Sequence, residues 1–374
     1  MNGIKHTCIN FIEVIALSRW KKIQGILAFS GILILILDSQ SAVASAADGI
    51  RMCMQQVIPA IFPILVLSIW LTQAMANSNF TILRPLGRLL RVPDHAISLL
   101  IPAFFGGYPV GAQCAVEQYR HGSLSKENAE KMLSFCNNAG PSFIFGFLPL
   151  VFSNGHRIWQ ICLIHIGSAI LAGIVLCNSE EKEHQRVTQR STPVMGTAVR
   201  SMAMICGWVI FFRVLTGFLE RWFLWRLPVP ASVVLIGGME LTNGCIRLQR
   251  IPDEELRFIL CAGMLSFGGL CVHMQTTTIL QGLSVKKYWA GKLLQTFCSL
   301  LVASITVYAG GWYALAGMGV LVILILAMQK RLAISKKMVY NEHSISWRKS
   351  PCYFAKKSSA PAAIVPMEPS WRKD

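Results

Sequence analysis

Long apolar stretches dominate the chain and alternate with short polar or charged segments. A membrane-spanning helix needs about 20 residues at a rise of about 1.5 Å each, and several runs approach that length. Ten runs lie near Ile23–Leu37, Val57–Ala76, Ile97–Gln118, Ala129–Phe152, Ile158–Cys177, Thr197–Leu219, Val229–Ile246, Leu256–Leu280, Trp289–Ala309 and Trp312–Met328. The pattern predicts an all-α polytopic membrane protein with about eight to ten membrane segments.

The first apolar run has two interpretations. Lys21 and Lys22, the apolar core and the small residues that follow are typical of a secretory signal peptide. The segment before the core, 1–22, is long for such a peptide, so we favour a retained membrane helix.

Composition and charge agree with a membrane protein. The 374 residues are 53% hydrophobic and 14% charged, whereas soluble domains carry about 25% charged residues. The net charge of +17 is concentrated near the termini. Basic termini beside apolar spans fit a cytoplasmic placement near anionic lipids, and nucleic acid is not expected as a partner. The twelve cysteines are scattered without metal-ligand spacing, so no metal or cofactor is expected.

The sequence contains an internal repeat. When Gly106 is aligned with Gly237, a set of residues recurs in the second half: Gly106, Gly107, Cys114 and Gln118 correspond to Gly237, Gly238, Cys245 and Gln249. One residue later in register, Met132–Phe135 recurs as Met264–Phe267. Paired broken segments in corresponding halves are the best sequence indication of a transport site. We therefore predict two internal repeats that contain broken or re-entrant helices, either parallel or inverted.

These features divide the chain into five regions. Residues 1–22 form a cytoplasmic N-terminal segment, and 23–177 a membrane region with the first repeat. A hydrophilic loop over 178–196 leads to the second repeat, 197–328. The Pro-containing basic tail, 329–374, is expected to be disordered and cytoplasmic.

Two glycine–proline motifs interrupt the apolar runs of the first repeat. GGYPVGA over Gly106–Ala112 and CNNAGPSF over Cys136–Phe143 each place glycine beside proline. Such breaks free backbone groups, which are tolerated at membrane depth only against protein or a water-filled cavity. A kinked packing helix and a helix cap are the structural alternatives. We favour unwound segments that offer backbone and asparagine groups to a ligand.

The second repeat places a carboxylate inside an apolar run. Glu240 lies in GGMELTNG together with Thr242 and Asn243. An ionised carboxylate at the bilayer centre costs about 2.5–3.5 kcal/mol even on the most lenient scale, so it is usually paired or lines a watery path. This residue is the strongest single indication of a transport pathway.

A polar segment, HMQTTT, follows the second glycine pair of this repeat. Helical spacing predicts that His273 shares a face with Thr276 or Thr277, with Gln275 to the side. A lone intramembrane histidine is often a hydrogen-bonded structural residue. The neighbouring carboxylate and glycine break favour a functional role for His273.

Arg213 also lies within an apolar run. It is a candidate ion-pair partner for Glu240 or Glu220, or the cation that meets an anionic substrate. His165, in contrast, is assigned to packing. The sequence lacks G-x-S-x-G, H-E-x-x-H and a phosphate-binding glycine loop with lysine, so an enzyme is not expected.

Together, VIPAIFPILV, GGYPVGA, LSFCNNAGPSF, MELTNG, SFGGLCVHMQ and WAGKLL resemble the sporulation integral membrane protein YlbJ family, of the nucleoside-recognition (Gate) domain group. The resemblance implies an endospore-forming bacterium, the mother-cell-derived membrane around the forespore, and relatedness to concentrative nucleoside transporters. It also implies movement of dipicolinic acid. It adds weight to most of the candidate binding residues, which are Gly107, Tyr108, Pro109, Asn137, Asn138, Arg213, Glu240, Thr242, Asn243, His273 and Gln275.

Two hypotheses from different classes follow. The first is a transporter that moves a small anionic solute, with dipicolinate proposed, or a nucleoside-like solute by rocking one half against the other. Its partners would be the lipid bilayer, the solute and a coupling proton or Na⁺, and an oligomer is compatible with the sequence. The second is a scaffold or assembly protein of the sporulation membrane, needed for cortex formation, in which polar residues hold helices together.

Overall fold

The computed structural model describes residues 22–75, 81–176, 193–280 and 282–309. The chain divides into two compact units, Met1–Val322 and Ile323–Asp374, and the second lies wholly outside the described residues. The predicted basic tail and the run Trp312–Met328 therefore fall outside that description, as do most of the predicted N-terminal segment and connecting loop.

Helices and short helical turns make up the described chain, which contains no β-strand within these ranges. The helices are α1 Lys22–Leu37, α2 Ser39–Met52, α3 Ile58–Met75, α4 Arg84–Leu89, α5 Leu100–Phe105, α6 Val110–Arg120, α7 Lys126–Leu133, α8 Pro141–Phe147, α9 Gly155–Leu176, α10 Val194–Trp222, α11 Val229–Met239, α12 Leu241–Arg247, α13 Glu254–Phe267, α14 Gly269–Ile279 and α15 Val285–Ala309. A π-helical turn, Cys53–Val57, joins α2 to α3.

Four segments among the described residues are long and apolar enough to cross a membrane: Gly155–Leu176, Val194–Trp222, Glu254–Ile279 and Val285–Ala309. The bent pair Lys22–Leu37 and Ser39–Val57, which meet at 100°, gives up to a fifth. The prediction of an all-α polytopic membrane protein is confirmed. Other apolar runs counted in the sequence contain helices too short to cross alone, such as Val229–Met239, because breaks divide them.

Two of the broken runs fold back on themselves as helical hairpins. A Cβ atom placed on Gly111 of α6 would lie 3.0 Å from the Cα of Ala103 in α5, eight residues earlier. In a straight helix those residues are about 12 Å apart along the axis. In the same way, a Cβ on Gly244 of α12 would lie 2.1 Å from the Cα of Gly237 in α11. Glycine at these positions lets the two arms of each hairpin touch.

The other two broken runs are interrupted helices. In the first repeat, α7 and α8 are separated by the irregular segment 134–140, and in the second α13 and α14 by Gly268 alone. Gly268 and Gly269 have φ values of 89° and 78°, which L side chains rarely adopt. Each repeat therefore contains one hairpin and one interrupted helix, followed by a long helix, α9 or α15.

Within each repeat, the break of the interrupted helix packs against the hairpin tip. A Cβ on Gly140 would lie 2.8 Å from the backbone nitrogen of Gly107, and one on Gly269 would lie 3.0 Å from the Gly237 carbonyl oxygen. The two repeats meet through equivalent long helices, because α9 packs against α15. Two hairpin tips and two helix breaks are thereby brought close to one another.

Candidate functional site

A cavity of about 420 Å³ lies where the tips and breaks meet. The first repeat contributes its hairpin tip and the start of α8, and the second contributes its hairpin tip and α14. The π-helical turn, α3 and α10 supply the remaining wall. Small-molecule sites typically measure about 300–1,000 Å³, so the volume suits a compact solute.

The cavity is mostly apolar with a few polar groups. Tyr108, Phe143 and Phe147 present aromatic rings, and the amide side chains of Gln55 and Gln56 come from the π-helical turn. The Oε1 atom of Gln56 is buried and has no hydrogen-bond partner among the described residues. Apolar walls with a small number of placed polar groups are typical of ligand sites.

Glu240 is the charged residue that the described residues bring to this cavity. It is 3% exposed and forms the N-cap of α12. Its Oε1 accepts a hydrogen bond from the Thr242 amide at 2.9 Å, and its Oε2 accepts one from the Asn243 amide at 2.7 Å. Because a helix N-terminus favours negative charge, α12 stabilises the carboxylate form of this buried acid.

The predicted binding residues separate into three groups. Gly107, Tyr108, Glu240, Thr242 and Gln275 line the cavity. Pro109 and Asn243 adjoin it at the hairpin tips, where Pro109 is the N-cap residue of α6. The remaining candidates, Asn137, Asn138, His273 and Arg213, lie elsewhere among the described residues.

Asn137, Asn138 and His273 belong to a buried polar cluster beside the cavity. We define the polar cluster as Asn137, Asn138, His165, Ser266, His273, Thr276, Tyr288, Lys292 and Gln295, all of which are buried. On α14, the predicted shared face of His273 and Thr276, with Gln275 to the side, is confirmed. Its Cys271 and Gln275 face the cavity, while His273 and Thr276 join the polar cluster.

One half of the polar cluster is centred on Tyr288. The Asn137 Nδ2 donates to Thr276 Oγ1 at 2.9 Å and to the Tyr288 hydroxyl at 3.3 Å. The His273 Nδ1 lies 2.7 Å from the same hydroxyl. The His273 ring also packs against Trp289, with ring centroids 4.2 Å apart and the ring planes inclined at 34°. These contacts fix α14 to α15 and to the break between α7 and α8.

The other half of the polar cluster is centred on Gln295. Its Nε2 donates to Asn138 Oδ1 at 3.0 Å, and its Oε1 accepts from the Lys292 Nζ at 2.8 Å. The Ala139 amide donates to His165 Nε2 at 3.0 Å, so that nitrogen is unprotonated and Nδ1 carries the proton toward Ser266. His165 thus connects the two repeats through hydrogen bonds, a structural role that agrees with its assignment to packing.

Arg213 is engaged by acids other than Glu240. Its Nε lies 2.7 Å from Asp48 Oδ2 and its Nη1 lies 3.2 Å from Glu220 Oε1. Arg247 forms an ion pair with the same Glu220 carboxylate. The predicted Glu220 partnership is present, whereas the direct pair with Glu240 is not formed. Two cations and two acids balance here because α2, α10 and α12 converge.

Sequence reasoning missed Lys292 and Gln295 as site residues. Lys292 lies in the predicted run Trp289–Ala309, and an ionisable residue inside a membrane span is by itself an indication of function. That rule would have found it. Gln55 and Gln56 gave no comparable signal, because their position depends on the fold of α2 against α10. Among the described residues, no group of three or more His, Cys, Asp or Glu could hold a metal ion.

The chain is similar to a sporulation protein. The relative is the "Sporulation integral membrane protein YlbJ" of Bacillus subtilis (strain 168), 25% identical over 317 residues, which cover 70% of this chain and 76% of the relative. No family model and no solved structure matches the chain. The similarity supports the family that the motifs indicate. Together with the long apolar helices, it identifies an integral membrane protein.

This arrangement has the features of a small-molecule binding site. Broken helices surround a cavity with aromatic walls, amide groups and one carboxylate, and breaks of this kind at membrane depth are tolerated where they line a cavity or are covered by protein. The polar cluster lies beside the cavity, and its hydrogen bonds join the two repeats.

Proposed function

We propose that this protein is a sporulation-associated membrane transporter that moves a small solute through the central cavity. The observation that carries the proposal is the meeting of two hairpin tips and two helix breaks around a cavity that contains a buried carboxylate. Transporters with repeated halves hold solutes at such discontinuous helices. The relative's printed name supports a role in sporulation and, with the family resemblance, a place in the membrane around the forespore.

The proposed movement is a rocking of one repeat against the other. Tyr108 of the first repeat donates a hydrogen bond from its hydroxyl to the Leu265 carbonyl of the second, close to the cavity. Gln275 and Thr242 face the solute space from the second repeat. A motion that separates the repeats would break the Tyr108 contact and open the cavity to one side.

The solute would be a small aromatic compound, either anionic or nucleoside-like. Tyr108, Phe143 and Phe147 offer rings for stacking, and the glutamine side chains offer hydrogen bonds. Dipicolinate is the anionic candidate that the family resemblance implies. Because Glu240 would repel an anion, a dipicolinate transporter must neutralise this carboxylate during binding. A coupling proton or Na⁺ would meet that need.

Uptake by proteoliposomes tests the proposal directly. Purified protein would be reconstituted, and entry of radiolabelled dipicolinate and uridine would be measured with and without a proton gradient. We expect dipicolinate uptake above that of empty liposomes, increased by the gradient. Uptake of uridine without uptake of dipicolinate would support the transport function and exclude dipicolinate as the solute. Absence of uptake of both solutes, with folded protein verified, would contradict transport.

Two substitutions separate the charge of Glu240 from its structural role as a cap. Asn and Asp are about equally good N-cap residues, so Glu240→Asn and Glu240→Asp both keep α12 capped while only Asp keeps the charge. We expect Glu240→Asn to lose uptake by about tenfold or more and Glu240→Asp to retain most of it. Glu255→Gln removes an exposed acid from α13 and serves as the matched control. Equal uptake by the Asn and Asp variants would exclude a role for the charge.

A scaffold function is the second candidate, and the polar cluster favours it. Asn138, His165 and Gln295 are buried and hydrogen-bonded across helices, as residues that hold membrane helices together are. In that case Asn138→Ala would lower the yield of folded protein and leave no transport to measure. A folded Asn138→Ala protein in a cell that still forms cortex would oppose the scaffold.

A further inference from the structure

Lys292 on α15 is a fully buried lysine. Its side chain has 0% exposure, and its Nζ donates to Gln295 Oε1 at 2.8 Å and to the Ser266 carbonyl at 3.4 Å. The same nitrogen lies 5.2 Å from the centre of the Tyr108 ring. Distances below about 6 Å allow a cation–π interaction. All three partners are neutral.

No acidic side chain forms an ion pair with Lys292 within the described part of the chain. The titratable side chains near it on the packed elements are Cys136 between α7 and α8, His165 on α9 and His273 on α14, and none of them is an acid that could pair with an ammonium. From α13, it receives the Ser266 carbonyl. A buried ammonium without a countercharge is costly, and such a group tends to become neutral, so an anion close by would favour the charged form of Lys292.

The other cations near the cavity are already compensated. Arg213 is paired with Asp48 and Glu220, and Arg247 is paired with Glu220. An anionic solute would therefore gain little from the arginine that the sequence first suggested. His165 accepts a hydrogen bond at Nε2 and carries no charge in this arrangement. Lys292 differs from these groups because its partners leave its charge unbalanced.

Tyr108 connects Lys292 to the cavity. Its ring lines the cavity on one side and faces the ammonium on the other, and its hydroxyl is held by the Leu265 carbonyl. Tyr108 is therefore in contact with both the cavity and Lys292. Salt screens buried charges much less than exposed ones, so a charged Lys292 would be felt by a solute beside Tyr108.

We propose that Lys292 supplies the positive charge that compensates a carboxylate-bearing solute in the central cavity, acting through the ring of Tyr108. This inference rests on the proposed transport function and assigns its anion specificity to a residue of α15. Lys292 does not line the cavity, so it would act on the bound solute through Tyr108 as a positioning residue. Glu240, on the second hairpin tip, has both oxygens held by amides of α12 and is the group to be neutralised by the coupling ion.

The test compares an anionic and a neutral solute in the same vesicles. Proteoliposomes with wild-type protein, Lys292→Gln or Lys292→Arg would receive dipicolinate and uridine together, and the ratio of the two uptakes would be measured. This ratio does not depend on the amount of folded protein. Lys286→Gln, an exposed lysine at the start of the same helix, is the matched control.

We expect the dipicolinate-to-uridine ratio to fall by about tenfold or more in Lys292→Gln, because the amide keeps hydrogen bonding but loses the charge. Lys292→Arg should hold the ratio within about threefold of wild type. Lys286→Gln should leave it unchanged. This result would support the inference, since a purely structural lysine would affect both solutes alike.

Four outcomes would overturn the inference, and the last of them would overturn the proposed transport as well. An unchanged ratio in Lys292→Gln, with uptake by the wild type present, would remove Lys292 from anion specificity while transport stands. An equal fall of the ratio in Lys292→Arg would show that charge is not the cause. Wild-type protein that moves uridine but not dipicolinate leaves no anion to compensate, and wild-type protein that moves neither solute would overturn the proposed transport itself.

Discussion

The two helical hairpins share a backbone design but differ at their tips. In both, glycine lets the arms touch, at Gly111 in the first and at Gly244 in the second. In the alignment of the two repeats, Pro109 and Glu240 occupy equivalent positions, each the N-cap of the returning helix. Pro109 provides no side-chain cap, whereas Glu240 holds two amides. The two repeats therefore share a backbone geometry at the hairpin tips. A difference at one equivalent position gives only the second repeat a carboxylate there.

The interrupted helices differ as well. Met132 corresponds to Met264, and the helices that follow them, α8 and α14, begin at Pro141 and Gly269. The break between α7 and α8 is therefore longer than the break between α13 and α14. The longer break holds Asn137 and Asn138, which enter the polar cluster. Because both the tips and the breaks differ, the two similar halves place different groups around the cavity and in the polar cluster.

The largest expected effect tests whether both hairpins require glycine at a position where other backbone atoms leave no room for a side chain. A Cβ on Gly111 would lie 1.8 Å from the Cys136 carbonyl oxygen, and one on Gly244 would lie 2.1 Å from the Gly237 Cα. We expect Gly111→Ala and Gly244→Ala each to destabilise the protein by about 1–3 kcal/mol through overpacking. Thermal unfolding in detergent, followed by tryptophan fluorescence, measures both.

Gly207→Ala is the control for these two variants, because a Cβ on Gly207 of α10 meets nothing within 4 Å. It should be neutral or slightly stabilising. If only one of the hairpin variants lost stability, the two hairpins would not share this design.

The next effect should have opposite signs in the two repeats. Gly107 and Gly238 correspond in the alignment of the repeats, but only Gly107 has a positive φ, of 75°. We expect Gly107→Ala to cost about 1–2 kcal/mol, since alanine resists the left-handed region. Gly238 lies within α11 with open space around it, so Gly238→Ala should gain about 0.5–1 kcal/mol. The same unfolding measurement would refute the distinction if both variants shifted in one direction.

The smallest expected effect concerns the helix N-caps, which are present in both repeats. Ser125 caps α7 by accepting from the Asn128 amide, and Asp253 caps α13 by accepting from the Glu255 and Leu256 amides. We expect Ser125→Ala and Asp253→Ala each to lower stability by about 1 kcal/mol. Ser125→Asp, which keeps an acceptor, should restore the first loss. If only one of the two substitutions lowered stability, the N-caps of α7 and α13 would not have equivalent roles in the two repeats.

The local features of this protein could be predicted from its sequence. Glycine and proline mark the breaks because they act on the backbone at their own positions. The shared face of His273 and Thr276 follows from helical spacing, and the cap of α7 follows from the preference for serine at a helix N-terminus. Such properties depend on neighbours within a few residues, and the sequence shows those neighbours directly.

Contacts between distant segments required the tertiary structure. The sequence placed Arg213 near either of two acids, and only packing of α2 against α10 revealed Asp48 as a further partner. It also gave eleven candidates without separating Gln275 at the cavity from Asn137 in the polar cluster.

The chain's composition, its repeat and its breaks thus determined the class of protein, the membrane setting and where the helices would be interrupted. Which groups meet at those interruptions was decided by packing. The approach of Lys292 to Tyr108 joins residues far apart in the chain, and no local pattern encodes it. Apolar helices can pack in many registers with similar burial, so close contacts at glycines and the hydrogen bonds of buried polar groups select one of them.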